Sequence, residues 1–142
     1  MAFLQPRDAE AVREQFAALT APVKLVVFSQ ELVAADLCRQ NEQLAREVAA
    51  LSEAITVEVL NPHIDRDRAE RYGVSDVPAI VVEGARDYGV RFLGVPTGYE
   101  FSNLIDAIVA VSRGEAQLSE QTKTSLGTLT RDVEIKVFST PT

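Results

Sequence analysis

Cysteine and histidine each occur once in this sequence, as Cys38 and His63. A single cysteine forms no internal disulfide, and the two residues cannot supply the four Cys/His ligands of a structural zinc site. No metal and no cofactor is expected. Basic residues are outnumbered: 14 Lys and Arg stand against 21 Asp and Glu, for a net charge of −7. No Lys/Arg cluster offsets that balance. Nucleic acid and anionic membrane bind basic patches that replace counterions, so neither is expected as a partner. Long apolar runs are missing as well; none approaches the ~20 residues of a membrane-spanning helix. The opening stretch MAFLQPRDAEAVREQF has no basic segment followed by an apolar one, the pattern of a secretory signal. The expected compartment is the cytoplasm.

What remains is an ordinary globular composition, 46% hydrophobic and 25% charged over 142 residues, the size of roughly one domain. Val12, Phe16 and Leu19 share one helical face over residues 8–19, with Asp8 as the expected N-cap. VKLVVFS (23–29) reads as a buried strand. A long amphipathic helix is expected over about 34–53, with Leu37, Leu44, Val48 and Leu51 inward. ITVEVL (55–60) is a second strand, and a short charged helix follows that stops near Gly73. VPAIVVE, led by Pro78, and DYGVRFLGV read as two antiparallel neighbours joined through Gly84. A helix over 99–114 turns Phe101, Leu104, Ile105, Ile108 and Val111 inward. Beyond Gly114 a helix and a strand begin again. Strands alternating with helices imply a mixed α/β sheet with helices on both faces.

The new start copies the old one. Leu19, Thr20, Val23, Leu25, Val27, Phe28 and Ser29 recur 110 positions later as Leu129, Thr130, Val133, Ile135, Val137, Phe138 and Ser139. A tandem duplication accounts for such a repeat in a matched context. Residues 1–114 then form one unit, and residues 115–142 are the start of a second.

The stretch RDRAERYGVSDVPAIVV resembles the thioredoxin-superfamily segment that runs from a helix into the cis-proline strand. FAALTAPVKLVVF, VRFLGVPTGYEFSNLIDAIVAVSRG and DVEIKVFSTPT extend the resemblance across nearly the whole chain. They are similar to the glutaredoxin-like protein disulfide oxidoreductases and to the N-terminal domain of the alkyl hydroperoxide reductase flavoprotein subunit. Both sets carry two thioredoxin-fold units in tandem. The resemblance implies a thioredoxin-like fold with a mixed four-stranded sheet, plus the first helix and strand of a second unit. It also implies a C-x-x-C motif directly after a stretch like VFSTPT, so the chain is expected to be cut short, by trimming or by nature, before that motif.

In redox-competent relatives the first unit carries C-x-x-C where the long helix begins, because a helix N-terminus stabilises a thiolate. Aligning the helix through Leu44, Val48 and Leu51 puts Ala35 at the attacking position and Cys38 at the resolving one. The resemblance makes Pro78 the cis-proline and Val77 the residue before it, whose backbone an extended peptide pairs with by strand addition. Ala35, Val77 and Pro78 are thus the candidate substrate-binding residues, and Cys38 the candidate catalytic one. Three readings stay open: a redox-degenerate unit supporting a catalytic second unit, a peptide- or protein-binding module, and a monothiol enzyme acting through Cys38. The partners they imply are a protein thiol or disulfide, an extended peptide, the missing second unit, and a second copy pairing as a homodimer through strand 132–138. Cys38 also reads as a small apolar residue on an inner helix face. His63, with Asp65 and Asp67, reads as a solvated turn, and GVPTG (94–98) as a structural turn.

Overall fold

The computed structural model describes residues 2–140. α1 (Pro6–Phe16) leads into β1 (Val23–Phe28), then α2 (Ala35–Ala49), β2 (Ile55–Leu60), α3 (Arg66–Tyr72), β3 (Ala79–Glu83), β4 (Asp87–Leu93), α4 (Tyr99–Arg113) and α5 (Glu120–Gly127). The strands form one sheet in the order β2-β1-β3-β4. β1 runs parallel to β2 and antiparallel to β3, and β3 runs antiparallel to β4.

The sheet has two unlike faces because side chains alternate along each strand. Val23, Leu25 and Val27 of β1 and Ile80 and Val82 of β3 point to one side. There they meet Val12 and Phe16 of α1, Leu44, Ala45 and Val48 of α2, and Leu104, Ile105 and Ile108 of α4. Val26, Phe28, Leu60, Ala79 and Val81 point to the other side, against Ala69 of the short α3. β1 is buried on both faces, which is why it reads as an unbroken apolar run.

α1 begins earlier than expected. Its cap is Gln5 in extended conformation, and Pro6 takes the first helical position, where its missing N–H costs nothing. Asp8 lies in the first turn instead, favourably placed for the helix dipole. Ser112, buried near the end of α4, ties that helix to the corner between α1 and β1. Its hydroxyl accepts from the N–H groups of Thr20 and Ala21, both at 3.0 Å, and donates to the Ala21 carbonyl at 2.6 Å.

The new start after Gly114 departs from expectation. The helix forms, but only as Glu120–Gly127, capped by the Ser119 hydroxyl and with no buried residue. Residues 132–138 form no strand, and their side chains are exposed. A strand needs hydrogen bonds from a neighbouring chain segment, and no described strand lies alongside to supply them. Only the end of the segment comes near the sheet: Ser139 and Thr140 line a cleft together with Val95, Gly98 and Asn103. The sequence pattern is nevertheless that of a core element. Leu25, Val27 and Phe28 are 0% exposed, whereas the matching Ile135, Val137 and Phe138 are 82%, 84% and 90% exposed.

Candidate functional site

Strand register singles out one end of the sheet. Phe28 pairs with both Leu60 and Ala79, and Ala79 pairs with Leu93. β1, β2 and β4 therefore end where β3 begins. Four connections meet there: 29–34 before α2, 61–65 before α3, 73–78 before β3 and 94–98 before α4. Ala35, Cys38, Val77 and Pro78 all belong to this end, which is also where α/β sheets tend to place their sites.

Ala35 is half-buried and is the first residue of α2. Ala34 before it takes left-handed backbone angles, φ 51° and ψ 34°, a conformation that costs a residue with a Cβ about 1–2 kcal/mol. No side chain caps the helix. Its first turn offers the partial positive charge that steadies a thiolate, yet the residue standing there carries a methyl group. Cys38 follows one turn on and is 1% exposed. Its thiol points to the Val33 carbonyl, with 3.8 Å between sulfur and oxygen. Thiol–disulfide exchange requires a thiolate in line with a disulfide sulfur, and this sulfur has no open approach.

Asn41 sits at the centre of the buried face of α2, between Cys38 and Leu44. It is 0% exposed, and neither its amide nitrogen nor its amide oxygen has a hydrogen-bond partner. Sequence reasoning passed over it. The available signal was its position three residues beyond Cys38 and three before Leu44, in the middle of an otherwise apolar stripe. Leu37, expected inside, is 48% exposed. It shares the angular face of Leu44 but lies in the first turn, at the open end of the sheet.

Val77 is half-buried and Pro78 buried, and the peptide bond between them is cis. The Pro78 carbonyl is occupied by the N–H of Gly94 at 2.8 Å. Val77 has no backbone hydrogen bond, so its N–H and C=O remain available beside the first residue of β3. Large apolar side chains left exposed at this end are Leu32, Val33, Leu37, Ile64, Leu93 and Tyr99. Leu32 is the most exposed of them, at 90%.

Two side-chain networks brace the scaffold. The Glu47 carboxylate of α2 accepts from the backbone N–H groups of Phe3 and Leu4, at 2.8 and 3.1 Å, and from the Gln43 amide at 2.8 Å. Burial works against its charge, but these hydrogen bonds prevail and hold the carboxyl below its usual range. On the face covered by α3, Arg68 donates two hydrogen bonds to Glu58, which also lies 3.4 Å from Lys24. The Arg68 bonds, chiefly, push the Glu58 carboxyl down to about 2.

His63 is exposed, and its backbone N–H donates to the Asn61 side chain at 2.9 Å, while Asp65 accepts from the Asn61 N–H at 2.9 Å. These residues shape the turn before α3. Among the described residues no group of three or more His, Cys, Asp or Glu side chains is arranged to hold a metal. No described helix is long and apolar enough to cross a membrane.

No protein-family signature and no curated protein matches the chain in sequence. Solved structures do match in shape. An N-terminal domain of the alkylhydroperoxide reductase AhpF from Enterococcus faecalis superposes with a TM-score of 0.79 at 22% identity, covering 87% of this chain and 60% of that one. A protein disulfide oxidoreductase from Aeropyrum pernix superposes with a TM-score of 0.77 at 24% identity, covering 91% of this chain and 56% of that one. The chain thus spans about three fifths of the length of these structures. The fold is thioredoxin-like: a mixed four-stranded sheet with five helices.

Proposed function

We propose that the chain is a thioredoxin-fold unit of a disulfide oxidoreductase that has no thiol chemistry of its own and supports a second, catalytic unit. One observation carries this reading. The helix that would present the attacking thiolate begins with Ala35, and Cys38 lies buried one turn inside, facing a carbonyl. The likeness to parts of an alkylhydroperoxide reductase and of a protein disulfide oxidoreductase is consistent with it. So is the segment 129–139, whose apolar pattern matches the buried β1 while its side chains stay exposed. A second unit built around that segment would cover them. The purified chain, given insulin and dithiothreitol, is expected to add nothing to the rate seen with dithiothreitol alone. A rate near that of a dithiol enzyme refutes the reading.

A second reading is favoured by Val77. Its free backbone N–H and C=O, next to exposed Leu32 and Val33 in the loop across from it, fit an extended polypeptide added alongside. The unit would then hold a protein segment without reacting with it. Chemical-shift mapping with peptides tests this; amides of Val77 to Ala79 that stay unmoved count against it. The monothiol alternative gains no support from a sulfur that does not meet solvent.

A further inference from the structure

We propose that the surface beside Val77, called the groove below for the backbone left unpaired there, takes an extended apolar segment that carries lysine or arginine. The inference rests on the second reading above and names the chemistry of its partner. Its apolar part follows from the six exposed side chains at this end of the sheet, Leu32, Val33, Leu37, Ile64, Leu93 and Tyr99. Leu32, Val33 and Ile64 lie in the connections after β1 and β2, Leu37 in the first turn of α2, and Leu93 and Tyr99 on either side of the 94–98 connection. An extended segment paired with Val77 sends alternate side chains to opposite sides, so every second residue can reach this apolar rim.

The basic part follows from charge. Glu31, Asp36, Asp65, Asp76 and Glu100 stand at this end against Arg39 and Arg66. Arg39 is already held by Glu31 at 2.7 Å and by Asp36, so it is not free to meet an acidic ligand. Asp76, directly before Val77, is exposed and bonded only to the Ser75 hydroxyl, at 3.0 Å. A segment that pairs with Val77 must pass this carboxylate. The net charge of −7 extends the same field over the whole chain. It repels acidic segments and further copies of this chain, and it draws in cationic ones. The exposed 131–138 stretch of a second copy is a poorer fit, since Arg131 and Lys136 are balanced by Asp132 and Glu134.

The test uses the full chain, labelled with nitrogen-15, and three soluble ten-residue peptides. All share the same alternating Val/Ile positions; the intervening residues are Lys in one, Gln in the second and Glu in the third. The Lys peptide is expected to shift the Val77 and Ala79 amides and to bind about 1.5- to fivefold tighter per lysine that finds a carboxylate, the effect of an exposed ion pair. The order expected is Lys, then Gln, then Glu. The advantage should shrink in 0.5 M salt and fall in Asp76→Asn, with the Gln peptide unaffected. Equal binding of the Lys and Gln peptides at Val77 overturns the charge preference and leaves the groove reading standing. If no peptide moves these amides, the groove reading fails and the inference with it. Concentration-dependent broadening of Val77 without peptide, abolished by Val137→Asp, makes a second copy the occupant and overturns the proposal.

Discussion

Replacing Asn41 with an apolar residue should stabilise the protein, against the usual trend of core substitutions. Its two amide atoms are fully buried and unpaired. Each unsatisfied polar atom costs about 1–3 kcal/mol, so removing both gains about 2–6 kcal/mol. Leucine matches the branching of asparagine but is bulkier, and overpacking costs about 1–3 kcal/mol. The net expectation for Asn41→Leu is a gain of about 1–3 kcal/mol. Asn41→Val adds less bulk and serves as the second variant, separating the polar effect from crowding. With an m-value of about 1.5 kcal/mol/M in urea, the midpoint should rise by about 0.7–2 M with m unchanged. If both variants lower the midpoint, the amide is satisfied in solution. The claim that α2 carries an uncompensated polar group beside Cys38 would then be wrong.

Acid should weaken the fold through Glu58. Its carboxyl is held at about 2 in the folded chain against an ordinary 4.5, so its contribution is full above 4.5 and disappears as pH falls towards 2. The group is partly exposed, so solvent screening reduces the effect to about 1 kcal/mol; urea midpoints measured from pH 6 down to pH 2 should be less acid-sensitive in Glu58→Gln. Cys38 should react with iodoacetamide far more slowly in the native chain than in urea, and equal rates would show that the α2 entrance opens freely. Leu25→Ala should cost about 2–5 kcal/mol, while Ile135→Ala should change stability by less than about 0.5 kcal/mol. Comparable losses in thermal melts would mean that the 133–138 segment packs on the first unit.

The parts legible in the sequence are those where local pattern and tertiary burial agree. β1 and β2 were readable to within a residue, β1 as an apolar run buried on both faces and β2 as an edge strand in which apolar and polar residues alternate. α3 stops at Gly73, which takes the left-handed angles expected of a helix end. α2 was harder. The leucines at 37, 44 and 51 repeat every seven residues and mark a helix. Leu44 and Val48 are buried as expected, and the rest of the inner face is Cys38, Asn41 and Ala45, while the large side chain of Leu37 falls in the exposed first turn. Alanine and asparagine carry weak signals, so Asn41 and Ala45 went unread beside the leucines. The segment 132–138 shows the opposite case: its alternation is that of a strand, but no described strand pairs with it. At the site, Ala35 and Val77–Pro78 were placed by resemblance, whereas the burial of Cys38 and the free backbone of Val77 required the three-dimensional arrangement.

The Ser112 hydroxyl joins positions 92 residues apart in the chain, at the end of α4 and the entrance to β1. The segment from Thr20 to Gly114 therefore enters and leaves through a single corner. Such an arrangement suits cutting and rejoining: linking the start of α1 to the end of α4 and opening the Gly84 hairpin would give a circular permutant that keeps Val12 and Phe16 in the core. It also tolerates copying, because a second module appended after Gly114 starts where the first one started. Its leading helix can stand to its own first strand as α1 stands to β1. The spacing of 110 residues between the two matching sequence stretches is close to the length such a step would need.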